Sequence, residues 1–272
     1  MVIARRPLDT IEDFGEQWTR YPENRGFYAS PDALAGLLRP LLAPTALQGM
    51  RVADVGAGTG RYTLMLHKLG AGRIVALEPS NAFAALQRNT AGIDRVECLQ
   101  AAAEAIPQGK FDLVFCIGVL QFIPDPRRAL KAMGRALGPG GRLFLWVYGA
   151  ENNDLYLTLV KPLRWVTSRL PHRLLDRLAG LLAKPAGVYA RLCRSKRWPL
   201  ADYMRHYYAR LDGYSRKLVI YDQLNPRFAK YYRQGELRAL LAGCGYADIR
   251  MHHHLGYSWS VMARYAGSGA SP

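Results

Sequence analysis

Residues Val52 to Gly60 read V-A-D-V-G-A-G-T-G, a pattern that leaves a chain few ways to fold. A short apolar run ends in three alternating glycines, and a helix is predicted to start near Arg61. The apolar residues suit a strand buried on both faces of a parallel sheet. Gly56, Gly58 and Gly60 let the backbone turn sharply and come close to a ligand, because no Cβ blocks the approach. Glu78 ends the next strand, R-I-V-A-L-E-P, where its carboxylate can accept hydrogen bonds from the two hydroxyls of a ribose. Strand, turn, helix and acid together predict an adenosine site.

The spacing narrows the choice of ligand. G-A-G-T-G is not the G-x-G-x-x-G that brings a pyrophosphate onto a helix N-terminus. Asp54, two residues before the turn, would repel a diphosphate but suits an ammonium or sulfonium group. Both details favour S-adenosylmethionine over a dinucleotide.

Four more segments follow in order: A-L-E-P-S (Ala76 to Ser80), L-Q-A-A-A-E-A-I-P (Leu99 to Pro107), F-D-L-V-F-C-I-G-V-L-Q-F-I-P-D (Phe111 to Asp125) and L-G-P-G-G-R-L-F-L-W (Leu137 to Trp146). With the glycine turn, they make residues 46–150 resemble the core of the class I S-adenosylmethionine-dependent methyltransferases. The resemblance implies an α/β fold, a doubly wound, mostly parallel seven-stranded sheet with helices on both faces. It also implies S-adenosylmethionine as cofactor, released as S-adenosylhomocysteine. Carried over by position, the cofactor contacts are Tyr28, Asp54, Gly56, Ala57, Gly58, Gly60, Glu78, Pro79, Ala103, Glu104, Ile117 and Gly118. Two positions depart from the family. Ala102 stands where an acid often meets the adenine amino group, leaving Glu104 or a backbone carbonyl for that task. Gln121 stands where a histidine is common, and it offers the substrate only neutral hydrogen bonds.

Strands are expected near 51–55, 73–77, 95–99, 111–117 and 142–148, with helices near 60–69, 80–89 and 126–137 between them. The family adds a final hairpin, placed at 246–254 and 257–265 about Gly256. Residues 1–45 precede this core as an aromatic arm containing Phe14, Trp18, Tyr21, Phe27 and Tyr28. It either closes over the cofactor, with Tyr28 and Arg20 as candidates, or simply staples itself to the core. Residues 151–234 are too many for one crossover and predict a helical cap; 235–265 return to the core, and 266–272 read as a disordered tail. Leu174, Leu175, Leu178, Leu181 and Leu182 mark one apolar helix face, and Pro162, Pro171, Pro185 and Pro199 are expected to cut the cap into short helices.

The net charge of +16 speaks to partners, not to fold. Lys161, Arg164, Arg169, Arg173, Arg177, Lys184, Arg191, Arg194, Lys196 and Arg197 face one acid, Asp176, in that stretch. Such a region expects phosphate on a small substrate, an anionic lipid surface or RNA. Cys98, Cys116, Cys193 and Cys244 follow no metal or disulfide spacing and read as buried apolar residues in a reducing compartment. No apolar stretch fits a leader peptide or a membrane span, which predicts a cytoplasmic protein, with peripheral contact at the inner face of the membrane as an option.

Methyl transfer needs an acceptor held about 3 to 3.5 Å from the methyl and in line with the breaking bond. Candidate catalytic side chains are His252, His254, Tyr148 and Tyr221, with Asp222 beside the last. Alternation along a strand lets His252 and His254 share a face while His253 points away. The bland alternative for the triplet is a half-exposed strand, and no metal site is expected. Gln121, Tyr203, Arg205, Tyr207 and Asn225 are the candidate substrate contacts. The cap tyrosines (203, 207, 208, 214, 221, 231 and 232) and nearby Arg205, Arg210, Arg216 and Lys217 suggest an amphiphilic pocket with an anion clamp, or else cap packing with a solvated basic rim. The expected acceptor is an anionic or amphiphilic small molecule: phosphorylated, prenylated or lipid-linked. A transfer-RNA-modifying enzyme and a non-catalytic protein docked on a membrane remain as alternatives.

Overall fold

The computed structural model describes residues 7–196 and 198–267. Helices α1 (Pro7–Arg20) and α2 (Pro31–Leu38) come first. The core then alternates β1 (Arg51–Val55), α3 (Arg61–Lys68), β2 (Arg73–Leu77), α4 (Phe83–Thr90), β3 (Val96–Leu99), β4 (Phe111–Ile117), α5 (Pro126–Ala136) and β5 (Leu137–Tyr148). Helices α6 (Asp154–Thr167), α7 (His172–Leu192), α8 (Ala201–His206) and α9 (Gly213–Leu224) form an inserted layer. The chain returns through α10 (Gln234–Ala242) to β6 (Tyr246–His254) and β7 (Ser258–Tyr265).

The strands make one seven-stranded sheet in the order β3-β2-β1-β4-β5-β7-β6, parallel except for β7, which runs antiparallel to both neighbours. Helices cover both faces, as a sheet with two apolar faces requires. β1 shows why the sequence could be read here: all its residues after Arg51 are buried, and Asp54 pairs with Ala76 on one side and Phe115 on the other. Strand order reverses between β1 and β4, so their carboxyl ends open the crevice where open α/β sheets bind ligands.

The prolines behave differently from expectation. Only Pro171 and Pro199 lie outside helices; Pro162 sits inside α6 and Pro185 inside α7, which runs for 21 residues. Both internal prolines face solvent, so the carbonyls deprived of a donor can turn to water. The leucine face of α7 is also narrower than its pattern. Leu175 and Ala179 are buried against α9, whereas Leu174 and Leu181 are exposed. Arm and inserted layer share one apolar cluster, with Tyr21 and Tyr28 packed among Leu175, Tyr208, Leu218 and Tyr221. Arg197 and the tail beyond Gly267 lie outside the described residues.

Candidate active site

A cavity of about 690 Å³ runs from the glycine turn to the underside of the inserted helices. That is within the usual size of a ligand pocket, roughly 300–1,000 Å³. Its first half is walled by Gly56, Ala57, Gly58, Glu78, Pro79, Ala103, Glu104, Ile117 and Gly118, with Tyr28 of the arm across from them. Its second half is walled by Tyr148, Tyr156, Tyr203, Tyr207, Tyr231, Tyr257, Asp222 and His254.

The glycine turn is held by its neighbours. Gly56 N and Ala57 N donate to Leu77 O, and Gly58 N donates to Glu78 Oε2 at 2.8 Å. The other Glu78 oxygen accepts from the backbone and hydroxyl of Ser80. A carboxylate has about four acceptor sites, so Glu78 can still receive a ribose hydroxyl. Gly56 has φ +73°, and a Cβ there would lie 2.4 Å from Val119. A Cβ on Gly58 would lie 3.3 Å from the Trp18 indole nitrogen, which places the arm directly over the turn.

Two expected cofactor contacts do not line the cavity. Asp54 is buried but does not reach the cavity wall; Thr63 Oγ1 donates to its Oδ2 at 2.6 Å, which ties β1 to the start of α3. Burial pushes the Asp54 carboxyl up to about 6, against the pull of Thr63 and Arg61. Gly60 does not line the cavity either. A Cβ there would meet Leu86 at 2.9 Å, so this glycine serves helix packing.

Sequence reasoning passed over Arg61, and it is the most telling residue on the cofactor side. Its guanidinium lies 3.8 Å from the centre of the Tyr28 ring and 4.1 Å from that of Tyr62, and it donates to Tyr28 O. Burial opposes its charge, yet the surrounding oxygens of Tyr28, Tyr62 and Tyr207 hold its pKa above the ordinary value. Among the described residues it forms no ion pair, although it lines the cavity. A buried cation facing a ligand space calls for an anion from that ligand. The signal was readable: a cation in the first turn of a helix opposes the helix dipole.

On the other side, Asp222 is the centre of a hydrogen-bonded chain. Its Oδ1 accepts from Gln17 Nε2 at 2.9 Å and its Oδ2 from Tyr148 OH at 3.0 Å. Tyr148 OH in turn accepts from Gln223 Nε2, whose Oε1 accepts from Tyr156 OH. Arg164 anchors the far end through Gln223 O and Tyr231 OH. Burial raises the Asp222 pKa, opposed by the donors Gln17 and Tyr148. Burial also raises Tyr148 well above its ordinary value, so it serves as a donor and not as a base. His254 faces the same chamber, with burial lowering its pKa to about 4.

Several candidates fall outside this chamber. Tyr221 is buried in the inserted layer, bonded to His172 and packed on Tyr21, while its neighbour Asp222 reaches the cavity. Asn225 binds Asp13 O and Gln17 Oε1, joining the inserted layer to the arm. Arg205 bonds to Cys193 O and pairs with Asp202. His252 shares a face with His254 but does not reach the wall. Gln121 is fully buried below the wall, with neither side-chain polar atom bonded. The anion clamp does not form at the cavity: Arg210 lies over Phe27, Arg216 bonds to Ala209 O, and Lys217 pairs with Asp176. No metal-ligating cluster occurs among the described residues.

Known proteins share parts of this sequence and its fold. Residues 53–145 match the methyltransferase domain family. Over 124 residues the chain is 36% identical to a tRNA U34 carboxymethyltransferase of Campylobacter hominis, covering 43% of this chain and 42% of that protein. Over 158 residues it is 30% identical to the ubiquinone/menaquinone biosynthesis C-methyltransferase UbiE of Cronobacter sakazakii, covering 55% and 60%. The fold is shared with a magnesium protoporphyrin IX methyltransferase of Synechocystis PCC 6803 solved with bound SAH. That likeness has 17% identity and a TM-score of 0.51, and covers 92% of this chain and 93% of that one. The chain spans 42% and 60% of the lengths of the two curated relatives. Over residues 53–145 the chain carries a domain of the class I S-adenosylmethionine-dependent methyltransferase type. S-adenosylmethionine is the cofactor of that class, and the glycine cradle, the spare acceptor on Glu78 and the unpaired charge of Arg61 fit it.

Proposed function

We propose that this chain is a methyltransferase acting on an amphiphilic small molecule that bears a hydroxyl or similarly acidic group. The observation that carries the proposal is one continuous cavity joining the glycine turn to a tyrosine-lined chamber that contains, among the described residues, a single carboxylate, Asp222. Apolar residues Val160, Leu163, Met204, Val219 and Ile220 extend the chamber beneath the inserted helices, as an acceptor with a hydrocarbon part requires. The basic side chains once expected to clamp an anion are occupied elsewhere, so the amphiphilic option is favoured over a phosphorylated one. Such an acceptor would bring the protein to the cytoplasmic face of a membrane, and four free cysteines suit that reducing compartment.

When bound, S-adenosylmethionine supplies an electrophilic methyl on a sulfonium. The chain's own residues then have distinct tasks. Arg61 binds the carboxylate of the cofactor's amino-acid part, and Glu78 accepts from the ribose. Tyr148 and Tyr231, stacked with ring centres 5.2 Å apart, orient the acceptor. Asp222 accepts the proton that the acceptor gives up as its new bond to carbon forms. The tyrosine hydroxyls stay protonated at neutral pH and exclude water while offering hydrogen bonds.

Calorimetry with S-adenosylmethionine, followed by transfer assays with prenylated or acylated phenols and their non-hydroxylated analogues, tests this proposal. Tight cofactor binding with transfer only to hydroxylated acceptors is expected. Absence of cofactor uptake would overturn it.

A second reading has one observation behind it: a relative at 36% identity carries the name of a tRNA-modifying enzyme, and the net charge of +16 suits RNA. Transfer-RNA binding that weakens on the order of 10³-fold or more between 50 and 200 mM salt would favour it.

A further inference from the structure

Every large hydrophobic side chain that is strongly exposed among the described residues lies between Leu155 and Trp198. On α6 these are Leu155, Leu159, Leu163 and Val166, at spacings that put them on one stripe, with Trp165 beside it. On α7 they are Leu174, Leu181, Val188 and Leu192, again one stripe. Leu159 and Leu181 are 67% and 65% exposed, and Trp165 is 65% exposed. Soluble surfaces carry single exposed leucines without consequence, but contiguous stripes on adjacent helices mark an interaction surface.

The charges beside these stripes identify the partner. Lys161, Arg169, Arg173, Arg177, Lys184, Arg191, Arg194 and Lys196 are all exposed, and none forms an ion pair among the described residues. On α7, Arg173, Arg177, Lys184 and Arg191 form a row about a quarter-turn from the leucine stripe. Asp176 is already paired with Lys217. Arg169 lies over the Trp165 ring and Lys196 over the Trp198 ring. Leucines flanked by cations, with tryptophans at the border, are the composition of a helix surface lying in the headgroup region of an anionic bilayer. Nucleic acid would use the cations but leave the leucines and Trp165 in water. No helix among the described residues is long and apolar enough to cross a membrane, so contact through this surface would be peripheral.

We propose that the exposed faces of α6 and α7 dock this protein on an anionic lipid bilayer. Leu163 belongs both to the α6 stripe and to the cavity wall, so docking would set the acceptor chamber against the membrane from which an amphiphile can enter. That orientation rests on the proposed acceptor class; the docking itself does not.

Co-sedimentation of the full chain with vesicles rich in phosphatidylglycerol, and with phosphatidylcholine alone, tests the proposal. Binding to the anionic vesicles only is expected, weakening as salt rises. L159D/L181D should abolish it, and K184E/R191E should weaken it by about fivefold or more for each charge. These positions are exposed, so unchanged circular dichroism and unchanged S-adenosylmethionine calorimetry should accompany both variants. Absence of vesicle binding by the native chain would overturn the proposal and leave the methyltransferase reading intact. So would a dimer, seen by sedimentation velocity, that L159D/L181D dissociates while vesicles are ignored. Transfer-RNA binding lost in K184E/R191E, without vesicle binding, would overturn it as well. Loss of cofactor uptake with vesicle binding preserved would instead sink the activity and keep the docking surface.

Discussion

The two halves of the cavity are built on different principles. The cofactor half is made mainly of backbone at the ends of β1, β2 and β4, fixed by sheet register and by glycines that admit no Cβ. The acceptor half is made of side chains from α1, β5, α6, α8, α9 and the last hairpin, fixed by hydrogen bonds among tyrosines, Asp222 and Gln223. A backbone cradle serves one ligand across many relatives, whereas a side-chain chamber can be altered one residue at a time. On the proposed function, specificity would therefore belong to the inserted helices.

Asp222→Asn should separate the halves most sharply. Loss of a general base lowers kcat by about 10²–10⁴-fold, while calorimetric affinity for S-adenosylmethionine stays unchanged. The native enzyme should also lose rate as pH falls, with an acid limb above the ordinary carboxylate range, because burial raises Asp222. A full rate in D222N would show that the acceptor keeps its proton or passes it to water. Arg61→Ala should do the reverse and weaken cofactor binding by roughly 10²-fold, the scale of a buried charge left without its partner. Equal affinity in R61A would remove the arginine from the cofactor half.

Asp54→Asn addresses stability alone. Burial raises Asp54 to about 6, above an unfolded value of about 3.9. The native chain thus holds a proton that the unfolded chain loses between these values, and stability falls as pH rises through that window. The deficit is complete above about pH 6, so D54N should stabilise the cofactor-free protein by about 2–3 kcal/mol at pH 7.5 and by much less near pH 4. Thermal melts at both pH values check this. Smallest of all, Tyr221→Phe should cost about 1 kcal/mol of stability from its lost bond to His172 and leave both kcat and cofactor affinity alone.

The same contrast explains what could be read in advance. Alternating buried strands and helices, with a glycine turn and a strand-end acid, announced the sheet and the positions of Gly56, Gly58, Glu78 and Ile117, because those features are local. Asp54 and Gly60 sit in the same motif, but periodicity does not tell a residue that lines the cavity from one that supports its neighbour. In the inserted layer, of the neighbouring candidates Tyr221 and Asp222, only Asp222 lines the cavity, because a rotation of one position on α9 decides between cavity and packing. Tyr203 and Tyr207 reach the chamber while Arg205 between them turns outward, for the same reason. The leucines of α7 outnumber the positions its partner can cover, so an apolar pattern alone overstated how much of that helix is buried.

Gln17 and Trp18 are consecutive residues with separate tasks: one donates to Asp222, and the other lies over Gly58. Displacing this segment would therefore uncover the glycine turn and remove one of the two donors on Asp222 together. The two halves of the cavity thus hang from neighbouring positions of one helix.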